Sequence, residues 1–288
     1  MFDLLLFTIV LCLALFLFII VLGENLYSLM IEEQVNYLRL IVSYAALPLP
    51  RDTGLLPEPV QRYLSFAGAG TCASAESVRM KYHGKARYGK KGRWLVLGGE
   101  CAFSIAVPGF WWRATLAYLP GVWLDRFDYY VDHRAGMNLN LFSLIPLSNI
   151  NNSEIVSPAL FRYLSCTPLF PMVHAHCTFI QWHPVDNTAA RAVITDGTVS
   201  AEALVRFDER GWMESMNCIH ESSTTNGQPA PGLVSCLYSS YFDFNGYRIP
   251  EVTEAEFILP DGERFEAEYI LDSIDFEPCI TKIHGDGA

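Results

Sequence analysis

The most concentrated set of potential metal ligands in the chain is His174-Ala175-His176-Cys177, with His183 close behind it. On an extended strand His174 and His176 would share a face, so two imidazoles could converge. Asp186 is the one carboxylate nearby, and zinc motifs use other spacings. The alternative reading is a loop and strand start with surface histidines, and no metal or other cofactor is expected. A second set is Asp125, Asp128 and Asp132, carboxylates suited to general acid–base work. Alternation places Asp128 and Asp132 on one face with Arg126 and Tyr130, and that face reads as a solvated sheet surface. No GxSxG, Walker, GxGxxG or HExxH pattern is present, so no catalytic residue is assigned. The third set is aromatic. Trp112, Tyr129, Phe161, Phe170 and Trp182 could line a cavity between a sheet and a helix, or they could simply fill a core.

These residues need a scaffold, and the run 92–144 is its clearest part. Segments rich in Trp, Tyr, Phe and Val alternate with turns carrying Gly, Pro or Asp, the pattern of an antiparallel meander. Strands are expected over 74–83, 94–105, 109–118, 123–131 and 137–144. In the third, Phe110, Trp112, Ala114, Leu116 and Tyr118 share one face. In the fourth, Phe127, Tyr129 and Val131 oppose Arg126, Asp128, Tyr130 and Asp132. A helix capped by Ser157 and entered at Pro158 follows, with Leu160, Phe161 and Leu164 as its apolar stripe. Residues 169–173 continue it as an apolar plug.

Strands resume over 178–182, 189–195, 198–207, 211–219, 236–244, 248–258 and 263–274, with 221–232 as a polar loop. Asp196-Gly197, Asn245-Gly246 and Asp261-Gly262 are tight-hairpin pairs. About twelve strands are too many for a flat sheet. The expected fold class is mainly β: a strongly curved antiparallel sheet, an incomplete β-barrel covered by one or two helices, behind an N-terminal transmembrane helix.

Composition narrows the partners. The net charge of −11 and the lack of a Lys/Arg-rich tract argue against nucleic acid and against electrostatic docking on anionic lipid. The one basic cluster, Lys85, Arg87, Lys90, Lys91 and Arg93, reads as a solvated hairpin turn. Of eight cysteines, none forms a CxxC pair, so a zinc site or disulfide framework is not expected. Most read as small buried apolar residues, with one or two bridges left open in an oxidising compartment.

Residues 4–22, LLLFTIVLCLALFLFIIVL, carry no charge and are long enough to cross a bilayer. No basic stretch precedes them and no small-x-small cleavage site follows Leu22, so an uncleaved anchor is favoured over a signal peptide. The scarcity of Lys and Arg just downstream leans toward a large domain outside the cytoplasm. Residues 25–46 form an amphipathic helix with Leu26, Met30, Leu38, Ile41 and Ala45 as its stripe, lying on the membrane or packing on the domain. Pro48 and Pro50 end it. The expected organisation is a membrane anchor over 1–23, an amphipathic helix and linker over 24–54, and the β domain over 55–288.

The segment Leu56-Pro57-Glu58-Pro59-Val60-Gln61-Arg62-Tyr63-Leu64 opens that domain as a helix, stopped at Gly68. With Pro108-Gly109-Phe110-Trp111-Trp112-Arg113, Asp125-Arg126-Phe127-Asp128-Tyr129-Tyr130 and Tyr247-Arg248-Ile249-Pro250, it resembles the bacterial DUF6544/DUF6920 family. The resemblance covers about 55–275 and implies a layout, not an activity. One departure is clear: similar proteins carry a segment like LAEMPWFP where this chain has Leu164-Ser165-Cys166-Thr167-Pro168-Leu169-Phe170-Pro171, without the carboxylate and the Trp.

Three readings follow. The first is a non-catalytic binding module, tethered to the bilayer by its N-terminal helix, whose half-barrel holds an apolar, lipid-like ligand. The second is an enzyme on the same scaffold using Asp125, Asp128 and Asp132 or His174 and His176. The third is an anchored structural protein with a filled core.

Overall fold

The computed structural model describes residues 2–45, 51–70, 75–223, 229–258 and 262–278. Cys72, Cys279, the helix stop at Pro48 and Pro50, and Asp261 fall outside these. Helix α1 (Phe2–Tyr44) runs unbroken through position 23. It is followed by α2 (Glu58–Phe66), where Pro59 sits in the first turn. Gly68, at φ +69°, lets the Ala69 amide turn back onto the Leu64 carbonyl at 3.0 Å.

Thirteen strands make one sheet. The first six are β1 (Ala75–Tyr88), β2 (Leu95–Ser104), β3 (Phe110–Leu119), β4 (Val122–Val131), β5 (Arg134–Leu141) and β6 (Ile145–Ile150). Helices α3 (Val156–Cys166) and α4 (Met172–His176) intervene. Then come β7 (Ile180–Pro184), β8 (Ala189–Asp196), β9 (Val199–Phe207), β10 (Met213–Ser223), β11 (Pro229–Phe244), β12 (Tyr247–Ile258) and β13 (Arg264–Pro278). The order β6-β5-β4-β3-β2-β1-β13-β12-β11-β10-β9-β8-β7 describes two antiparallel meanders sewn together along β1 and β13. A twisted sheet this wide curls rather than lying flat. The connection from β6 to β7 links the two free edges, so α3 and α4 lie across the concave side.

Side chains tie the two halves together near the open seam, where β4 and its turn meet β8. Asp196, at the end of β8, accepts from the Tyr130 hydroxyl at 2.7 Å and lies 3.1 Å from His133. The result is a mainly β, curled half-barrel.

Several local expectations are corrected. The segment around Leu144 is two strands, because Phe142 and Ser143 both adopt positive φ and reverse the chain. Ser157 does not cap α3; a short 3₁₀ turn (Ser153–Ile155) precedes the helix, and the Ser157 hydroxyl donates to the Ser200 carbonyl at 2.8 Å. Residues expected as a polar loop, 221–232, are partly strand, since β10 reaches Ser223 and β11 begins at Pro229. The buried stripe of α1 is Tyr27, Ile31, Val35, Leu38 and Val42; Leu26 and Tyr44 are exposed. That stripe packs on Ala102, Trp111, Phe127 and Val131, the convex face of β2–β4. The first half of α1 makes no such contact, and it is the one helix among the described residues long and apolar enough to cross a membrane.

Candidate ligand-binding site

The concave face and α3 border a partly open cavity of about 800 Å³. Ligand pockets commonly span roughly 300–1,000 Å³. One end is closed by a dense aromatic plug, in which Phe103 lies 5.3 Å from Phe110, 6.0 Å from Tyr163 and 5.3 Å from Phe170. The wall reaches toward the other end through Leu271, Phe265, Phe257 and the half-exposed Tyr88.

The wall is apolar for identifiable reasons. Tyr82, Trp112 and Tyr269 form a floor, with ring centroids 4.5, 5.6 and 5.2 Å apart. Tyr82 is aimed by its hydroxyl, which donates to the Arg113 carbonyl at 2.7 Å. It crosses Gly99 to get there, where a Cβ would sit 2.0 Å from that same oxygen. Four cysteines, Cys101, Cys166, Cys218 and Cys236, also face the cavity. Burial pushes their thiols up, to about 12 for Cys166, to about 11 for Cys218 and Cys236, and well above the usual range for Cys101. They stay neutral and act as small hydrophobes.

One charged cluster interrupts this wall. Arg126 reaches both Asp128 carboxylate oxygens from Nε at 3.0 Å, and its Nη2 lies 2.9 Å from Asp128 Oδ2. Arg162, from α3, donates to the same carboxylate and lies over the Trp112 ring, 4.6 Å from its centroid. Asp128 is 5% exposed. Burial disfavours the Arg162 charge, but Asp128 together with Tyr269, Cys166 and Tyr82 more than restores it, so its pKa ends above the usual arginine value. At the rim stand Glu154, Glu251 and Glu256, the last paired with Arg264 at 2.7 Å.

The expectation that Asp128 lies on a solvated surface is therefore wrong. The face of β4 carrying Arg126, Asp128 and Tyr130 points into the half-barrel, and the Phe127 face is covered by α1. Period-two alternation separated the faces correctly but could not say which was wet, because both are covered.

The five aromatic candidates divide. Trp112 and Phe161 line the cavity. Tyr129 borders it as part of β4, but its ring packs beside Phe127 at 5.9 Å, on the convex side, lying over Gly136. Phe170 belongs to the plug. Trp182 lies 5.4 Å from His174 and 6.1 Å from Phe207, away from the cavity wall.

The other two sets do not converge. His174 and His176 lie on α4, not on a strand, and residues two apart on a helix diverge. Both are buried, and their ring nitrogens have no protein hydrogen-bond partner among the described residues. Desolvation drives the His174 pKa down to about 3. Among the described residues no group of three His, Cys, Asp or Glu could hold a metal ion. Asp125 faces the convex side, accepting from Thr115 at 2.8 Å and Ser143 at 2.6 Å. Asp132 sits in a turn, where it accepts from the Tyr37 hydroxyl at 2.7 Å.

Arg162 was missed by sequence reasoning. The available signal was its setting, a lone cation in Leu160-Phe161-Arg162-Tyr163-Leu164, a helix whose other residues there are all buried.

Fold and site together define a half-barrel with a helix-covered internal hollow. The DUF6544 profile, described as a family of unknown function, matches residues 48–268. The chain belongs to the DUF6544 family. A comparison with curated proteins gives no match. Among solved structures, a LolA superfamily protein from Nitrosomonas europaea is similar at 10% identity and a TM-score of 0.41, over 76% of this chain and 93% of that one. A DUF1329 family protein from Desulfovibrio piger is similar at 9% identity and a TM-score of 0.37, over 76% and 91%. Likeness at this level carries no functional information.

Proposed function

We propose that the protein is a membrane-tethered binding module whose half-barrel holds an apolar, lipid-like ligand. The observation that carries this reading is the cavity itself. A hollow of about 800 Å³ whose wall, apart from the Arg126–Asp128–Arg162 cluster and the glutamates at its rim, is aromatic, aliphatic and neutral thiol suits hydrocarbon better than water. A filled interior, which the structural-protein reading requires, does not fit it.

The tether reading is supported by where α1 meets the sheet. Phe16, within the apolar run, lies 6.2 Å from Phe142 in the β5–β6 turn. Exposed Tyr118, Leu119, Leu144, Ile145 and Leu147 belong to the same hairpin edge. In the sheet register, β1 ends at Tyr88 on that edge, opposite Phe265. A single span through residues 4–22 would set this edge against the bilayer, so a lipid could pass between membrane and cavity without crossing water. The scarcity of Lys and Arg just after the apolar run supports a domain outside the cytoplasm, which a C-terminal reporter fusion would test.

The test uses full-length protein purified in detergent and extracted with organic solvent, with co-purifying lipid counted by mass spectrometry. An acyl-bearing lipid is expected in wild type. It should be depleted in Ala159→Trp, which fills the cavity from α3. No acyl lipid in wild type, and no uptake of oleate by delipidated protein, would remove the reading.

A further inference from the structure

We infer that the cavity selects an anionic amphiphile, a hydrocarbon chain ending in a carboxylate or phosphate, and that Arg162 is the residue that receives its head group. The inference rests on the cavity reading above and adds the charge of the ligand to it.

Arg126, Asp128 and Arg162 bring two cations and one anion to an apolar wall. A purely structural pair would need one of each. The second guanidinium leaves one positive charge without a counter-ion among the described residues, in a wall where each arginine is about a quarter exposed, so an entering anion would meet a partly desolvated, uncompensated cation. The carboxylates at the rim do not serve. Glu256 is engaged by Arg264, and Glu154 and Glu251 are exposed to solvent.

Hydrogen bonding separates the two arginines. Arg126 is largely committed, with Nε and Nη2 on Asp128 and Nη2 also 3.3 Å from the Met137 sulfur. Among the described residues Arg162 makes one hydrogen bond, to Asp128. A guanidinium has five N–H donors in a fixed fork that matches a carboxylate or phosphate. Its face lies on Trp112, so its remaining edge is held in position rather than free to swing.

The surroundings favour a head group over a free small anion. Tyr269, whose ring closes the floor against Trp112, adds a neutral hydroxyl to the wall, because burial raises its pKa. On either side the wall is hydrocarbon: Met80, Phe161, Leu169, Phe257 and Leu271. A charge-assisted contact inside such a wall fixes the end of a chain that the rest of the wall would otherwise hold in any register.

The experiment compares two probes of the same chain length, radiolabelled oleate and oleyl alcohol, binding to delipidated full-length protein held in amphipol. Oleate is expected to bind at least about tenfold more tightly, the order of discrimination one charge-assisted contact supplies. Arg162→Met should abolish the preference, bringing oleate down to the affinity of the alcohol for the same variant. Arg162→Lys, which keeps the charge and guards against a folding artefact, should retain most of it. Equal binding of the two probes by wild type, or an oleate preference that survives Arg162→Met, would overturn the head-group assignment and leave the cavity reading standing. If neither probe binds, the cavity reading falls and this inference falls with it.

Discussion

The two faces of β3 and β4 are built from the same strands and similar residues, yet they do opposite things. On the convex face Trp111, Phe127 and Val131 are packed tightly under α1. On the concave face Trp112, Arg126 and Asp128 border a void. The aromatic content does not account for this, since each face has its share. The difference lies in the cover. The second half of α1 presents a stripe at helical spacing to its face. Helix α3 presents Phe161 and Arg162 across a curved surface that it cannot follow. A straight helix on a flat patch makes a core, and a short helix spanning a bowl leaves a hollow.

Truncation should therefore hurt unequally. Phe127→Ala on the convex side removes a fully buried ring from dense packing and is expected to cost about 3–5 kcal/mol. Phe161→Ala at the cavity wall should cost roughly half that, because a side chain beside a void has fewer partner atoms to lose. Chemical unfolding of full-length protein in detergent measures both. Equal losses would mean the concave side is as solid as the convex one. Next in size is Asp128→Ala, which strands two guanidiniums in the wall. Breaking a buried pair costs about 3–5 kcal/mol, and with both arginines about a quarter exposed roughly 2–3 is expected here. The same variant should bind oleate more tightly, since a competing carboxylate is gone. A less stable protein with stronger anion binding is a combination that simple misfolding does not produce.

Much of the fold is legible in the sequence because strand alternation and hairpin signals are local. The Phe110-Trp112-Ala114 face, the Gly68 stop and the Asn245-Gly246 turn follow from such rules. What is not legible depends on the cover. Nothing in Asp125-Arg126-Phe127-Asp128 says that α1 will take the Phe127 side, so the polar side looked wet when it was internal. The β5–β6 turn was missed for a related reason. Phe142 and Ser143 hold positive φ without glycine or asparagine, and the bond from the Ser143 hydroxyl to Asp125 that supports them is tertiary. Likewise α4 stands where the sequence favours a loop and strand start with surface histidines, because its residues are all buried, with His174 between Tyr63 of α2 and Trp182 of the sheet, and burial removes the alternation that would have revealed its type.

Helix α4 also gives the next prediction, a pH dependence. His174 is buried against Tyr63 and Trp182, with ring centroids 5.8 and 5.4 Å away, and stays neutral because burial lowers its pKa to about 3. Unfolded, it titrates near about 6.5. The unfolded state thus binds a proton that the folded state refuses. Stability is full above about pH 6.5 and falls as pH drops toward 3, by roughly 2 kcal/mol at pH 5. His174→Leu should flatten that decline with little loss at neutral pH, since neither ring nitrogen has a protein partner to forfeit. A pH profile of chemical unfolding that is identical in both proteins would show the histidine to be hydrated in the folded state.

The smallest effect is expected at Asp125, three residues before Asp128 on the same strand and on the opposite face. Asp125→Ala removes bonds from Thr115 and Ser143, but both hydroxyls can rotate to other acceptors, and a buried carboxylate is relieved of its desolvation. The net cost should be about 1 kcal/mol. Tyr27 sharpens the test. Its phenol is buried without a hydrogen-bond partner among the described residues, and burial, then the Asp125 charge, raises its pKa. Removing that charge should ease the α1 seam and offset part of the loss. Oleate binding should not change, because no bond of Asp125 reaches the cavity. If Asp125→Ala altered the oleate-to-alcohol ratio as strongly as Arg162→Met, the two faces would be electrostatically one site, and the separation drawn between them would fail.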